Sequence, residues 1–328
     1  MNHRTLGTID SVSEIGYGSW QIGSDWGDVS SAEAQQAVET ARECGVDFFD
    51  TADVYGDGRS ERILGDVLRE DIDRSEVTIA TKAGRRLDPH TTEGYSEENL
   101  RRFVDRSREN LGVDALDLLQ LHCPPTDVYY RPSVFDALDT LCDEGRIERY
   151  GVSVERVEEG LKAITYPGVE SVQIIFNPFR QRPTELFFEE AAAREVGVIV
   201  RVPLASGLLT GTLSQETEFP ENDHRNYNRE GEAFDVGETF AGVPYEVGLD
   251  AVGALSEHVP ADLSLVQFSL RWILDHEAVS TVIPGSTTPE HIRANVTASD
   301  VDSLGSNAHT AVENVYDEYV REHVHHHW

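Results

Sequence analysis

Residues 44–56 read Cys44-Gly45-Val46-Asp47-Phe48-Phe49-Asp50-Thr51-Ala52-Asp53-Val54-Tyr55-Gly56. Cys44-Gly45 closes a helix that opens with Ser30-Ser31-Ala32-Glu33, a capping box in which Ser30 and Glu33 each satisfy an otherwise unpaired backbone N–H. Val46 to Asp50 is short and mostly apolar, the pattern of a buried strand. The turn after it leads directly into another helical pattern, Ser60 to Leu68. Helix, buried strand and helix in succession make one unit of a parallel α/β fold.

The unit recurs outward from this stretch. Strand patterns follow at Val77–Lys82, Leu116–His122, Ile147–Ser153, Ser171–Phe176, Val198–Val202 and Val279–Ile283. Helical patterns at Ser96–Leu111, stopped by Gly112, and at Val134–Glu144 lie between them. Strand ends at 50, 82, 122, 153, 176 and 202 are 32, 40, 31, 23 and 26 residues apart, one βα unit per step. The step from 202 to 283 is 81 residues and holds a polar loop, Gln215–Val243, then helices at Tyr245–His258 and Leu263–Asp275. A first strand at Glu14–Gly18 brings the number to eight, which suits an α/β chain folded as a (β/α)8 TIM barrel; the pattern alone leaves a doubly wound open sheet as the alternative. No repeat or low-complexity linker divides the chain. Residues 1–328 are therefore expected to form one domain, with a long loop at about 206–247 and a C-terminal helix and tail at about 303–328.

Charge describes the solvent and the partners. Sixty acids against 27 bases give a net charge of −33, and only two lysines occur, Lys82 and Lys162. Such a surface stays hydrated in molar salt, where the Debye length is ~3 Å, and a halophilic source is expected. The same charge argues against nucleic acid and anionic membranes, which need basic patches. The chain has no run of about 18 apolar residues, and its first residues are too polar for a secretory signal. Cys44, Cys123 and Cys142 are odd in number and lack a CxxC pair, as in reduced cytoplasmic proteins. His323, His325, His326 and His327 are too close in sequence to converge on one point, so no metal is expected.

Asp50, Lys82 and His122 end three successive strands, and the C-terminal ends of parallel barrel strands share one face. Tyr55 lies five residues beyond Asp50, in the loop over that face. Asp50 and Lys82 supply each other with the partner a buried charge needs. A chain that otherwise almost avoids lysine has placed one at a strand end.

Phe48 to Gly56, Ser60-Glu61, Leu64-Gly65, Leu116 to His122, Gly151-Val152-Ser153 and Ile283-Pro284-Gly285 to Asn295 together resemble the aldo-keto reductase superfamily, from Gly16 to about Asn295. The resemblance implies a barrel, an extended nicotinamide cofactor and a catalytic tetrad of Asp50, Tyr55, Lys82 and His122. Tyr55 would act as general acid and base. Lys82, held by Asp50, would lower the phenol pKa, and His122 would steer the carbonyl oxygen. Trp20, Trp26, Tyr55 and His122 would wall the substrate pocket.

For the cofactor, the resemblance implies Ser19 and Trp20 beside it and Ser153 and Gln173 at the carboxamide. Arg201 stands where an aromatic commonly stacks on the nicotinamide, and Pro203, Leu204, Ser206 and Gly207 belong to the backbone around the pyrophosphate. Gly285, Ser286, Thr287, Thr288, His291 and Asn295 would surround the adenosine end, at a helix N-terminus suited to phosphate. Two departures stand out: Val154 replaces the usual Asn after Ser153, and the 2′-phosphate region has only Gly285, Thr287 and His291, with Arg293 behind. The family's habit points to NADP, with NAD possible. Arg180, Arg182 and the segment His224–Arg229 are expected at the mouth, favouring an anionic or polyhydroxylated substrate. The implied activity interconverts an aldehyde, ketone or sugar with its alcohol; the alternative is a cofactor-sensing regulatory module with little turnover.

Overall fold

The computed structural model describes residues 1–23, 29–69 and 76–328. A hairpin, β1 (His3–Leu6) and β2 (Ile9–Ser13), precedes eight parallel strands: β3 (Tyr17–Gly18), β4 (Phe48–Asp50), β5 (Thr78–Ala83), β6 (Leu118–His122), β7 (Tyr150–Ser153), β8 (Val169–Ile175), β9 (Gly197–Arg201) and β10 (Val279–Val282). The strands pair in chain order, and helices lie between them, as the residue spacing requires. The ring closes where Ile15 bridges Val282: Gly16 N donates to Val282 O (2.8 Å) and Val282 N to Glu14 O (2.9 Å). This closure removes the open-sheet alternative. The expected first strand is shorter than Glu14–Gly18, because only its last two residues join a continuous ladder.

The hairpin has no counterpart in the sequence reading. Leu6, Ile9 and Val12 form one apolar cluster with Phe48, Ala80, Leu118 and Ile199 of β4, β5, β6 and β9 and with Ile283, just past the end of β10. The hairpin is thus a plug for the N-terminal end, and the barrel is filled there by apolar contact. Two residues further along each strand the same alternation turns inward Asp50, Lys82, Gln120 and Arg201 in place of apolar groups. The larger core lies between the barrel and its helices, for example Val104, Leu119, Leu138 and Val152.

The long connection after β9 is less irregular than its polar sequence suggests. It contains a short helix, His224–Tyr227, and tight turns at Val236–Glu238 and Phe240–Gly242, before the helices Tyr245–Ser256 and Leu265–Leu274. The C-terminal segment is helical from Ser306 to Val324, with a wider turn at Tyr316–Val320. It is packed down: Trp328 is buried.

Candidate active site

At the C-terminal ends of the strands, Lys82 Nζ forms an ion pair with Asp50 and donates to Thr51 O (2.8 Å) and to Tyr55 Oη (3.4 Å). The other carboxylate oxygen of Asp50 accepts from Gln173 Nε2 (2.7 Å) and Gln120 Nε2 (3.2 Å). Lysine and carboxylate are both buried, and this satisfied network offsets part of the desolvation of the pair. Gln120 went unnoticed in the sequence. Its signal is alternation: it lies two residues before His122 on the same inward face of β6.

Tyr55 reaches the pair from the turn after β4. Gly56 allows that turn: its φ is +57°, and a Cβ there would lie 2.1 Å from Gly23 O. The phenol ring stacks on Trp20 at 6.1 Å and meets the His122 ring edge-on at 5.9 Å. Asp50, Tyr55, Lys82 and His122, separated by up to 72 residues in sequence, therefore meet at one point.

The electrostatics depart from the expectation in one respect. The phenol of Tyr55 is pushed well up, by burial and then by the carboxylates of Asp50 and Glu238, while Arg85 and Arg201 pull the other way. The Lys82 ammonium, 3.4 Å from the phenol oxygen and itself paired with Asp50, does not outweigh burial and the two carboxylates, so the phenol stays protonated. Burial lowers the Lys82 pKa, and Asp50 opposes this. His122 is driven well down by burial and by the positive charges of Arg85, Lys82 and Arg201, so its imidazole is neutral at pH 7. The site holds a protonated phenol beside a neutral imidazole.

Two cavities meet over these groups. A cleft of about 570 Å³ runs along the barrel mouth, and a pocket of about 680 Å³ opens on the other side; Trp20, Tyr55, His122 and Glu238 belong to both. The cleft wall takes in Ser19, Asp50, Gln173, Arg201, Pro203, Leu204, Ser206 and Gly207, then Gly285 to Thr288, His291 and Asn295. Ser153 lies behind that wall instead. Its hydroxyl is 3.5 Å from Gln173 Oε1, which belongs to a wall residue, and 3.6 Å from Cys123 Sγ. The hydroxyl of Ser206 is already engaged, donating to Glu238 O (3.2 Å) and accepting from Phe240 N (3.0 Å), which leaves chiefly its backbone for a ligand. Val202, Ala205, Ser206 and Gly207 all have positive φ (+46° to +100°), strain of the kind that persists at functional turns.

Several expected cations lie elsewhere. Arg293 pairs with Glu43 (3.3 Å) on the neighbouring helix, outside the cleft wall. Arg180 and Arg182 line neither cavity: Arg180 covers the Trp328 ring at 4.2 Å, and Arg182 pairs with Glu158. The His224 segment does reach the mouth; His224 lies 4.8 Å from the Trp20 ring, and Arg225 lines the cleft. Trp26 lies outside the described residues. The pocket adds Arg85, Glu155, Phe234 and Asp235, none of them foreseen. Arg85 bridges Glu238 and Glu155 (3.3 Å to the latter), and burial beside Asp235 and Glu238 pushes the Glu155 carboxyl up to about 7. Cys123, Glu155 and Glu238 cluster closely, but the paired arginines make the cluster a poor cation site.

One buried acid beside the site has no such partner. Asp53 is fully buried, and neither carboxylate oxygen accepts a hydrogen bond among the described residues. Burial, then the nearby charge of Glu61, pushes its pKa up to about 7. The folded state therefore binds this proton more tightly than the unfolded chain, and this contribution to stability falls as pH rises from about 4 to 7. Asp53→Asn should flatten that fall and raise the melting temperature more at pH 8 than at pH 5. An equal shift at both values would show that the group is not titrating.

The chain belongs to the aldo/keto reductase family, whose model matches residues 14–317. It is 30% identical to an uncharacterized oxidoreductase of Bacillus subtilis over 93% of each chain. It is 26% identical to the NADH-specific methylglyoxal reductase of Escherichia coli, over 92% of this chain and 95% of that one. Among solved structures, the holo form of an aldo-keto reductase from Bacillus halodurans superposes with a TM-score of 0.77 at 26% identity, over 96% of both chains. Family membership makes the chain an NAD(P)-dependent oxidoreductase that interconverts a carbonyl and its alcohol.

Proposed function

We propose that Tyr55 delivers the proton in carbonyl reduction, with Lys82, Asp50 and His122 arranged around it, and that the cleft from Trp20 to Asn295 holds the nicotinamide dinucleotide. The observation that carries this is the meeting of both cavities at the Tyr55 and His122 side chains. The bound cofactor supplies the hydride. The neutral imidazole of His122 donates to the substrate oxygen and orients it. The protonated phenol gives up its proton as negative charge develops on that oxygen, and the Lys82 ammonium, 3.4 Å from Tyr55 Oη, stabilises the phenolate left behind. Trp20, Phe234, Arg85 and Glu155 would then surround the substrate.

The cleft fits a dinucleotide. Gln173 presents a buried amide beside Asp50 at its inner end. Arg201 stands midway, and at the outer end the helix Pro289–Val296 begins behind Ser286 and Thr288. The helix N-terminus and Arg225 favour phosphate. We assign NADP(H) as the preferred cofactor, on family habit and on His291, Thr287 and Thr288 at the adenosine end. With no lysine or arginine at that end among the described residues, NADH also binds. The acid-rich surface supports a cytoplasmic enzyme working in molar salt, folded as one domain; among the described residues no helix is long and apolar enough to cross a membrane.

Fluorescence titration with NADPH and NADH, in molar and in low salt, tests this reading. The expected result is binding of both, tighter for NADPH by about 3- to 30-fold, and weakened by low salt through loss of folded protein. Failure of folded protein to bind either dinucleotide would overturn the reading, and unchanged stability in low salt would remove the halophilic assignment.

A further inference from the structure

Glu238 stands where the two cavities join. Its carboxylate is buried between Arg85, with which it pairs, and Arg201, whose Nη1 is 3.6 Å away. It comes from the long connection after β9, and the backbone that carries it is strained. Phe240, Ala241 and Gly242 have φ of +52°, +58° and +78°, and the first two are not glycine. Such a conformation persists only where its surroundings over-determine it.

The surroundings come from two sides. On the cleft side, Ser206 Oγ accepts from Phe240 N and donates to Glu238 O. On the outer side stands Trp328, beyond the last helix and 90 residues from Glu238. Its indole N–H donates to Asp235 Oδ1 (2.9 Å), the same oxygen that accepts from Gly237 N (2.8 Å). Its ring fills the space over Gly237 and Gly242; a Cβ on Gly242 would lie 2.6 Å from it. Arg180 closes the stack, its guanidinium 4.2 Å from the ring centroid and its Nη1 donating to Ala241 O (3.1 Å). Trp328 itself lines neither cavity.

We propose that Trp328 is a positioning residue: it locks the Asp235–Gly242 segment in its strained form and so holds Glu238 over the junction of the cavities, which sets how tightly the cleft retains its dinucleotide. The inference rests on the functional reading above. Without the indole, the segment relaxes, Glu238 leaves Arg85 and Arg201, and the outer wall at Ser206 loosens. Loss of retention then appears in binding more than in the proton-transfer step, because Tyr55, Lys82 and His122 sit on other elements.

The test compares Trp328→Ala and Trp328→Phe with the unaltered chain in molar salt. NADPH dissociation constants, amide hydrogen exchange, kcat and KM are measured on each. For Trp328→Ala we expect NADPH to bind about tenfold more weakly and residues 235–242 to exchange at least about tenfold faster, with the barrel strands unchanged and kcat altered by less than about threefold. Trp328→Phe keeps an aromatic ring beside Arg180 but loses the bond to Asp235 and part of the cover over Gly242, so it should fall between the two; it also serves alone if the alanine variant does not fold. Unchanged exchange at 235–242 with unchanged NADPH affinity would overturn the inference. So would a uniform rise in exchange that includes the strands, which marks a purely structural residue. Failure of the unaltered chain to bind NADPH would instead overturn the functional reading, and the inference with it.

Discussion

Tyr55→Phe is expected to lower carbonyl reduction by about 10³-fold while leaving NADPH affinity within about threefold. The substitution removes one oxygen, the atom that lies 3.4 Å from Lys82 Nζ, and leaves the ring stacked on Trp20. Cofactor affinity is the control, since the ring still closes the cleft. The pH profile gives a second reading of the same group. The phenol is pushed up and the His122 imidazole down, so the proton donor stays protonated and the imidazole neutral across the middle of the scale. Neither group should therefore contribute a titration to reduction between about pH 6 and 9; one near pH 7 would belong to Glu155, whose carboxyl is pushed up to about 7, and should vanish in Glu155→Gln. A variant retaining a tenth or more of the activity would remove Tyr55 from the proton path.

Lys82→Met is expected to cost both activity and stability. The buried Asp50 carboxylate would keep its two glutamine donors but lose its ion-pair partner, and breaking such a pair costs about 3–5 kcal/mol. For a chain of this size that is a fall in melting temperature of about 4 to 7 °C. The double variant Asp50→Asn with Lys82→Met should recover most of that loss, because the amide is neutral and still accepts from Gln120 and Gln173, yet it should remain inactive. Thermal melts of the two single variants and the double form a cycle. Additive losses would mean that the pair is not coupled as its geometry requires. Recovery of activity in the double variant would mean that Lys82 has no part in turnover.

The legible parts of the molecule share a physical cause. Strands of a parallel barrel are buried on both faces and stand out as apolar runs, so their ends, and with them Asp50, Lys82 and His122, could be placed by spacing alone. The hairpin at residues 3–13 could not, because its contribution is three apolar side chains scattered among polar ones. Gln120 carried a weak signal, a polar residue inside an apolar strand two positions from a candidate. Glu155 and Glu238 carried none: in a chain with 60 acids, one more glutamate in a loop is indistinguishable from surface. Arg182 and Arg293 lie away from the cavities for a common reason. Charge along the sequence shows where a cation occurs, but the acid that claims it, such as Glu158 or Glu43, is supplied by tertiary contact. The raised pKa of Tyr55 is likewise a tertiary effect, set first by burial and then by the carboxylates of Asp50 and Glu238.

The measurement that bears most directly on the account is steady-state turnover by the unaltered chain. NADPH and NADH would each be mixed with a panel of aldehydes, ketones and aldoses in molar salt at neutral pH, following the loss of reduced-nicotinamide absorbance. The account predicts oxidation of NADPH that requires a carbonyl and is abolished by Tyr55→Phe. Folded, cofactor-binding protein that turns over no member of the panel would contradict it, and would leave a dinucleotide-binding protein in which the four polar groups serve another purpose.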